Sequence, residues 1–93
     1  MMNTQNTNQI TIFKALADSV RLDIIEYLKH VDREVTCGEV GKALNISKTS
    51  GSYHFKLLQE AGLIITRKEA REKYVRLNSV TFDKFVTNFY KNI

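Results

Sequence analysis

Two stretches that each read as a helix are separated by only three residues, and that brevity constrains the fold more than any other feature of the chain. "TCGEVGKAL" sets Thr36 and Glu39 in the capping-box relation, where each side chain satisfies the other residue's free backbone N–H, so a helix starts there and ends near Leu44. After "NIS", Ser47 can cap a second helix that runs to about Ala61, and Gly62 supplies the left-handed stop. Two helices joined by so short a turn form a helix-turn-helix.

The second of these helices has two incompatible faces. At about 100° per residue, Gly51, Phe55, Leu58 and Gly62 fall together with His54 and Ala61 beside them, while Thr49, Ser52, Tyr53, Lys56 and Glu60 fall opposite. One face packs and the other meets something polar. Small, hydroxylated or basic residues near a helix N-terminus suit the DNA major groove, where their reach matches base edges and phosphates and the helix dipole attracts phosphate. On that reading Thr49, Ser52, Tyr53 and Lys56 contact bases and phosphates, and Ser47, Lys48 and Ser50 hold backbone. An ordinary solvated helix face is the alternative.

The distribution of charge points the same way. The chain of 93 residues has a net charge of +4. Between Ser47 and Arg76 lie seven basic and three acidic residues, so the whole excess sits in one contiguous third and the remainder is neutral. Such localisation is the footprint of a surface that meets a polyanion, although basic patches also serve solubility.

Periodicity supplies the other elements. Ile10, Phe13, Leu16 and Ala17 repeat at helical spacing, and Ser19 can cap a second helix carrying Val20, Ile24, Ile25 and Leu28. Beyond Gly62, "LIITRK" and "KYVRLN" are β-branched and aromatic around the charged "EARE", which predicts two antiparallel strands with Arg71 at the tip. Phe82, Phe85, Val86, Phe89, Tyr90 and Ile93 form a wide apolar stripe on a last helix opened by Ser79 or Thr81. The expected fold is mainly α with a β-hairpin wing, in the order α-α-α-α-β-β-α. Residues 10–93 form one domain and the Asn/Thr/Gln-rich residues 1–9 a flexible tail without signal-peptide character. No run approaches the roughly 18 apolar residues of a membrane span. A hydrophobic content of 43% with 26% charged residues is that of a soluble globular chain. The single cysteine, Cys37, excludes an internal disulfide and suits a reducing cytoplasm.

The strings "FKALADSVRLDIIEYL", "GEVGKALNISKTSGSYHFKLLQEAGLI" and "TRKEAREKYVRL" resemble the ArsR/SmtB-type winged helix-turn-helix repressors of bacteria over about residues 10 to 78. The pattern is carried by Ala17, Asp18, Arg21, Ile24 and Leu28 in the second helix, by Ser47, Ser52, His54, Phe55 and Lys56 in the recognition helix, and by Glu60, Ala61, Gly62 and Leu63 at its end. The resemblance implies a homodimer that binds double-stranded operator DNA, with recognition helices in successive major grooves and the hairpins along the flanking backbone. It assigns Arg67, Lys68, Arg71 and Lys73 to the hairpin's DNA contacts and the terminal helices to the dimer. The residues support the dimer independently, because Ile10 and Phe13 together with Phe82, Phe85, Val86, Phe89 and Tyr90 offer more apolar surface than one small domain easily covers, although such a stripe can also pack on its own core.

Metal-sensing members of that family place thiols or His/Asp/Glu sets on the third or last helix, and this chain departs from them. Val35 and Glu39 flank Cys37, and the last helix holds Asp83 without a histidine. The ligand count is short for zinc, so neither metal nor cofactor is expected. Cys37, in the first turn of a helix whose dipole lowers a thiol pKa, is a candidate redox switch or a small buried apolar residue. His54 reads as a structural hydrogen-bonding group. Gly51 and Ala70 depart from the family pattern, which predicts a pliable or closely packed recognition helix and a hairpin turn with negative φ throughout. No phosphate loop, nucleophile set or paired carboxylates suggest an enzyme. The expected function is a sequence-specific, homodimeric repressor that does not sense metal; a winged-helix protein–protein module and a repressor responding through Cys37 are the alternatives.

Overall fold

The computed structural model describes residues 4–91, with side chains placed for 9–87, 90 and 91. Helices α1 (Thr4–Leu16) and α2 (Ser19–Val31) are followed by a short strand β1 (Val35–Thr36), helices α3 (Cys37–Leu44) and α4 (Lys48–Glu60), the hairpin β2 (Ile64–Glu69) and β3 (Glu72–Leu77), and a last helix α5 (Ser79–Lys91).

The first helix begins at Thr4, inside the stretch expected as a tail, because no Pro or Gly stops it from propagating toward the N-terminus. The cap of α2 is Asp18, not Ser19: Asp18 is extended, at φ −159°, and its carboxylate accepts from the Arg21 N–H at 3.1 Å, so Ser19 is already helical. Asn78, ahead of both expected positions, Ser79 and Thr81, plays the same part for α5. Its Oδ1 accepts from the Thr81 N–H at 3.4 Å while its Nδ2 donates to the Gly62 carbonyl at 2.9 Å, tying the start of α5 to the end of α4.

At the centre of the motif the capping box of α3 is formed, with the Glu39 N–H 3.0 Å from Thr36 Oγ1 and the Thr36 N–H 3.4 Å from Glu39 Oε1. Asn45 takes the left-handed conformation at φ 57°, and the Ile46 N–H closes on the Gly41 carbonyl at 2.8 Å. A β-carbon at Gly41 would lie 3.2 Å from the Ile46 carbonyl oxygen, so any larger residue there would make this tight turn give by a few tenths of an ångström. Ser47 caps α4 by accepting from the Ser50 N–H at 3.2 Å. Gly62, at φ 78°, ends the turn, with the Leu63 N–H returning to the Leu58 carbonyl at 3.0 Å.

Gly51 is a different case. Its missing β-carbon would sit 3.7 Å from Ile46 Cγ2 and from the Phe55 ring, an ordinary contact, so close packing does not require glycine there. Gly51→Ala is therefore expected to raise stability by about 1 kcal/mol, read as a thermal midpoint higher by roughly 4–8 °C. A lower midpoint would show that α4 needs the glycine.

The sheet has the order β1-β3-β2, all antiparallel. The strand β1 was not expected: with only Val35 and Thr36, paired to Val75 and Tyr74, it is too short to show a period and exists through its partner. The hairpin closes on Ala70 and Arg71. Ala70 has φ 56° and Arg71 has not, the pattern of a type II′ turn, so the expectation of negative φ throughout was wrong. A two-residue connection between twisted strands selects a turn with positive φ at its first position even without glycine there. The core lies between the helices and the sheet, where Ile24, Leu28, Val35, Val40, Leu58, Leu63 and Val75 are fully buried.

Candidate nucleic-acid interface

The faces of α4 separate as the wheel requires. Gly51, His54, Phe55 and Leu58 are buried, whereas Ser47, Lys48, Thr49, Ser50, Ser52, Tyr53 and Lys56 are all exposed. Tyr53 keeps 59% of its surface in solvent. Its ring meets the edge of the His54 imidazole at 5.4 Å, which braces a large exposed aromatic on the polar face.

Beneath that face lies a polar group that the sequence pattern marked without explaining. Arg21 and His54 are both about nine-tenths buried, and Arg21 Nη1 lies 3.1 Å from His54 Nδ1. The signal was available: Arg21 occupies the same stripe as Ile24 and Leu28, and a charge at an apolar position of a helix must find partners. His54 is a hydrogen-bonding residue of the interior.

The hairpin cations do not form one group. Alternation and the observed register put Lys68 directly opposite Lys73, on the side that carries Thr66 and Val75, with no ion pair to either among the described residues. Arg67 projects from the other side. Two of its nitrogens grip the Glu34 carboxylate at 2.7–3.0 Å, Glu69 lies 3.6 Å away, and its guanidinium covers the Tyr74 ring at 4.3 Å. Arg67, expected among the DNA contacts, is thus occupied in fastening the wing to the segment before β1. Arg71 is exposed at the tip.

The hydrogen bonds from Arg67 hold the Glu34 carboxyl below its ordinary value of 4.5. A depressed carboxylate stabilises the fold above the unfolded value and loses that contribution as pH falls through the folded one. Stability curves of the wild type and Glu34→Gln should therefore differ at neutral pH and converge below about pH 4.5; a gap that persists in acid would show that the pair does not fasten the wing.

Cys37 is half-buried, and burial pushes its thiol up, only partly opposed by the charge of Lys73. Of the two readings of Cys37, a thiol raised by desolvation favours the small, partly buried apolar residue over the redox switch. Among the described residues no cluster of three or more His, Cys, Asp or Glu is placed to hold a metal ion.

Helices α1 and α5 meet through Phe13 and Phe85, whose rings pack edge to face at 5.1 Å. Phe82 and Phe85 are half-buried against the core, whereas Ile10, Phe13, Val86 and Tyr90 remain exposed. The Phe89 side chain lies outside the described residues. No described helix is long and apolar enough to cross a membrane.

Comparison with known proteins agrees with this architecture. A family described as a helix-turn-helix domain matches residues 16–67. The chain is 48% identical over 95 residues to an uncharacterised HTH-type transcriptional regulator, YceK, of Bacillus subtilis (strain 168), covering 100% of this chain and 95% of that one. It is 31% identical to an arsenical resistance operon repressor of Staphylococcus aureus, over 84% of this chain and 73% of the other. The chain belongs to the ArsR-type helix-turn-helix family. Among solved structures it is similar to a homodimeric winged helix-turn-helix DNA-binding domain from Mycobacterium bovis, with a TM-score of 0.73 and 22% identity over 99% and 87% of the two chains. This ArsR-type chain is a transcriptional regulator and not an enzyme.

Proposed function

We propose that this regulator is a homodimeric repressor that binds operator DNA in the cytoplasm. In this reading α4 enters the major groove with Thr49, Ser52, Tyr53 and Lys56 toward bases and phosphates and Ser47, Lys48 and Ser50 on the backbone, while Lys68, Arg71 and Lys73 follow the flanking phosphates. Arg67 stays with Glu34. The observation that carries the reading is the capped α4 whose outward side is wholly polar and exposed, next to a hairpin on whose outer end Lys68 faces Lys73 with no ion pair to either among the described residues. The dimer draws support from the exposed apolar residues of α1 and α5 and from the homodimeric similar structure. Repression draws support from the name of the S. aureus relative.

A salt titration on a duplex selected from random DNA tests the reading. The logarithm of the binding constant should fall with the logarithm of salt by about 0.9 per phosphate neutralised, and Lys56→Ala should flatten the slope by about one unit. A shallow wild-type slope would favour a winged helix that binds protein.

A further inference from the structure

Operator reading by a dimer requires each α4 to be held at a fixed attitude to the helices that join the two copies. Apolar burial of Phe55 and Leu58 resists separation but is not directional, so it permits rolling. With a helix radius of about 6 Å, a roll of roughly 20° moves an outward side chain by about 2 Å, enough to break a hydrogen bond to a base. Something directional must set the roll.

One buried side chain spans the required distance. The Arg21 guanidinium donates from Nε to the Ala15 carbonyl at 2.6 Å and from Nη2 to the Lys14 carbonyl at 3.4 Å, both at the end of α1, and from Nη1 to His54 Nδ1 on α4 at 3.1 Å. Its own backbone N–H is held by the Asp18 cap at 3.1 Å. The last carbonyls of a helix lack partners within the helix and favour a cation, which explains why the charge is tolerated in the interior. A guanidinium only donates, so His54 Nδ1 is the acceptor and Nε2 carries the hydrogen. Asp18 Oδ2 stands 3.8 Å from Nδ1, beyond hydrogen-bond range. The bridge therefore joins α1, which carries the exposed Ile10 and Phe13, to the residue next to Tyr53 on the reading helix.

We infer that Arg21 and His54 are positioning residues: their bond fixes the roll of α4 against α1 and thereby the half-site separation that the dimer accepts. The inference rests on the proposed DNA-binding dimer. It accounts for a planar five-donor group at position 21, since the point charge of a lysine cannot serve three acceptors on two helices in one geometry.

The test uses the duplex that the wild type selects, the same duplex with one base pair inserted between its half-sites, and random DNA. Arg21→Met and His54→Leu should remain dimers in sedimentation and keep a steep salt slope, but lose at least tenfold in preference for operator over random DNA and stop discriminating against the insertion. His54→Asn, whose Oδ1 replaces Nδ1 as acceptor, should retain both preferences. If Arg21→Met does not fold, the two His54 variants decide the matter. Wild-type discrimination by His54→Leu, or equal losses by His54→Asn and His54→Leu, would overturn the inference. A wild type without salt-dependent duplex binding would overturn the DNA reading as well, and that result is visible before any variant is made.

Discussion

Val86→Asp should sediment as a monomer while its circular dichroism and thermal midpoint at low protein concentration stay close to those of the wild-type monomer. Val86 is 59% exposed and Tyr90, one turn further along α5, 78% exposed, so a carboxylate at position 86 meets water in an isolated chain. In a two-fold interface the same substitution appears twice. Each carboxylate taken out of water without a partner costs several kcal/mol, so the dimer dissociation constant should rise by about a hundredfold or more. Operator affinity should fall by a similar factor, because two linked half-sites bind about 10²–10⁴-fold better than one. Phe85→Asp is the weaker test: Phe85 packs on Phe13 and on the core of its own chain, so its loss confounds unfolding with dissociation. A Val86→Asp protein that remains a dimer would show that the exposed face of α5 is not the interface.

How much of this was legible before the structure depended on how far each signal extends along the chain. The helix-turn-helix was legible because its caps and stop are local: Thr36 and Glu39, Ser47 and Gly62 each act within a few residues of themselves. The burial of Gly51, His54, Phe55 and Leu58 followed from one helix and one period. What could not be read depended on partners distant in sequence. The strand Val35–Thr36 is defined by Val75 and Tyr74, some 40 positions away. The grip of Arg67 on Glu34 crosses 33 positions, as does that of Arg21 on His54, so counting cations located a basic region without showing which members were already engaged. Ser19 and Asp18 compete for one cap, and Asp18 holds it while its carboxylate also faces the Arg21 and His54 pair. The turn at Ala70 has another origin: the twist of the paired strands outweighs the preference of alanine for negative φ.

The opposed lysines of the hairpin lead to a prediction with opposite signs for stability and binding. Like charges directly across an antiparallel pair destabilise it, and the hairpin carries Lys68 against Lys73 on one side and Glu69 against Glu72 on the other. A fold selected for stability alone would mix the signs. Setting two lysines face to face near the tip instead concentrates positive charge there, which is useful only when a polyanion lies against it. Lys68→Glu creates a cross-strand ion pair with Lys73, so it should stabilise the protein by about 0.5 kcal/mol and raise the thermal midpoint by roughly 2–4 °C. It should also lower duplex affinity by between about tenfold and a hundredfold near 0.1 M salt, by losing one phosphate contact and adding a repulsive charge, and flatten the salt slope by about one unit. Arg67→Ala should do the reverse: it frees Glu34 and uncovers Tyr74, lowering stability while leaving the slope nearly unchanged. If Lys68→Glu left the slope intact and Arg67→Ala flattened it, the side of the wing that faces Glu34 would be the one that meets DNA, and the ion pair there would have to open on binding.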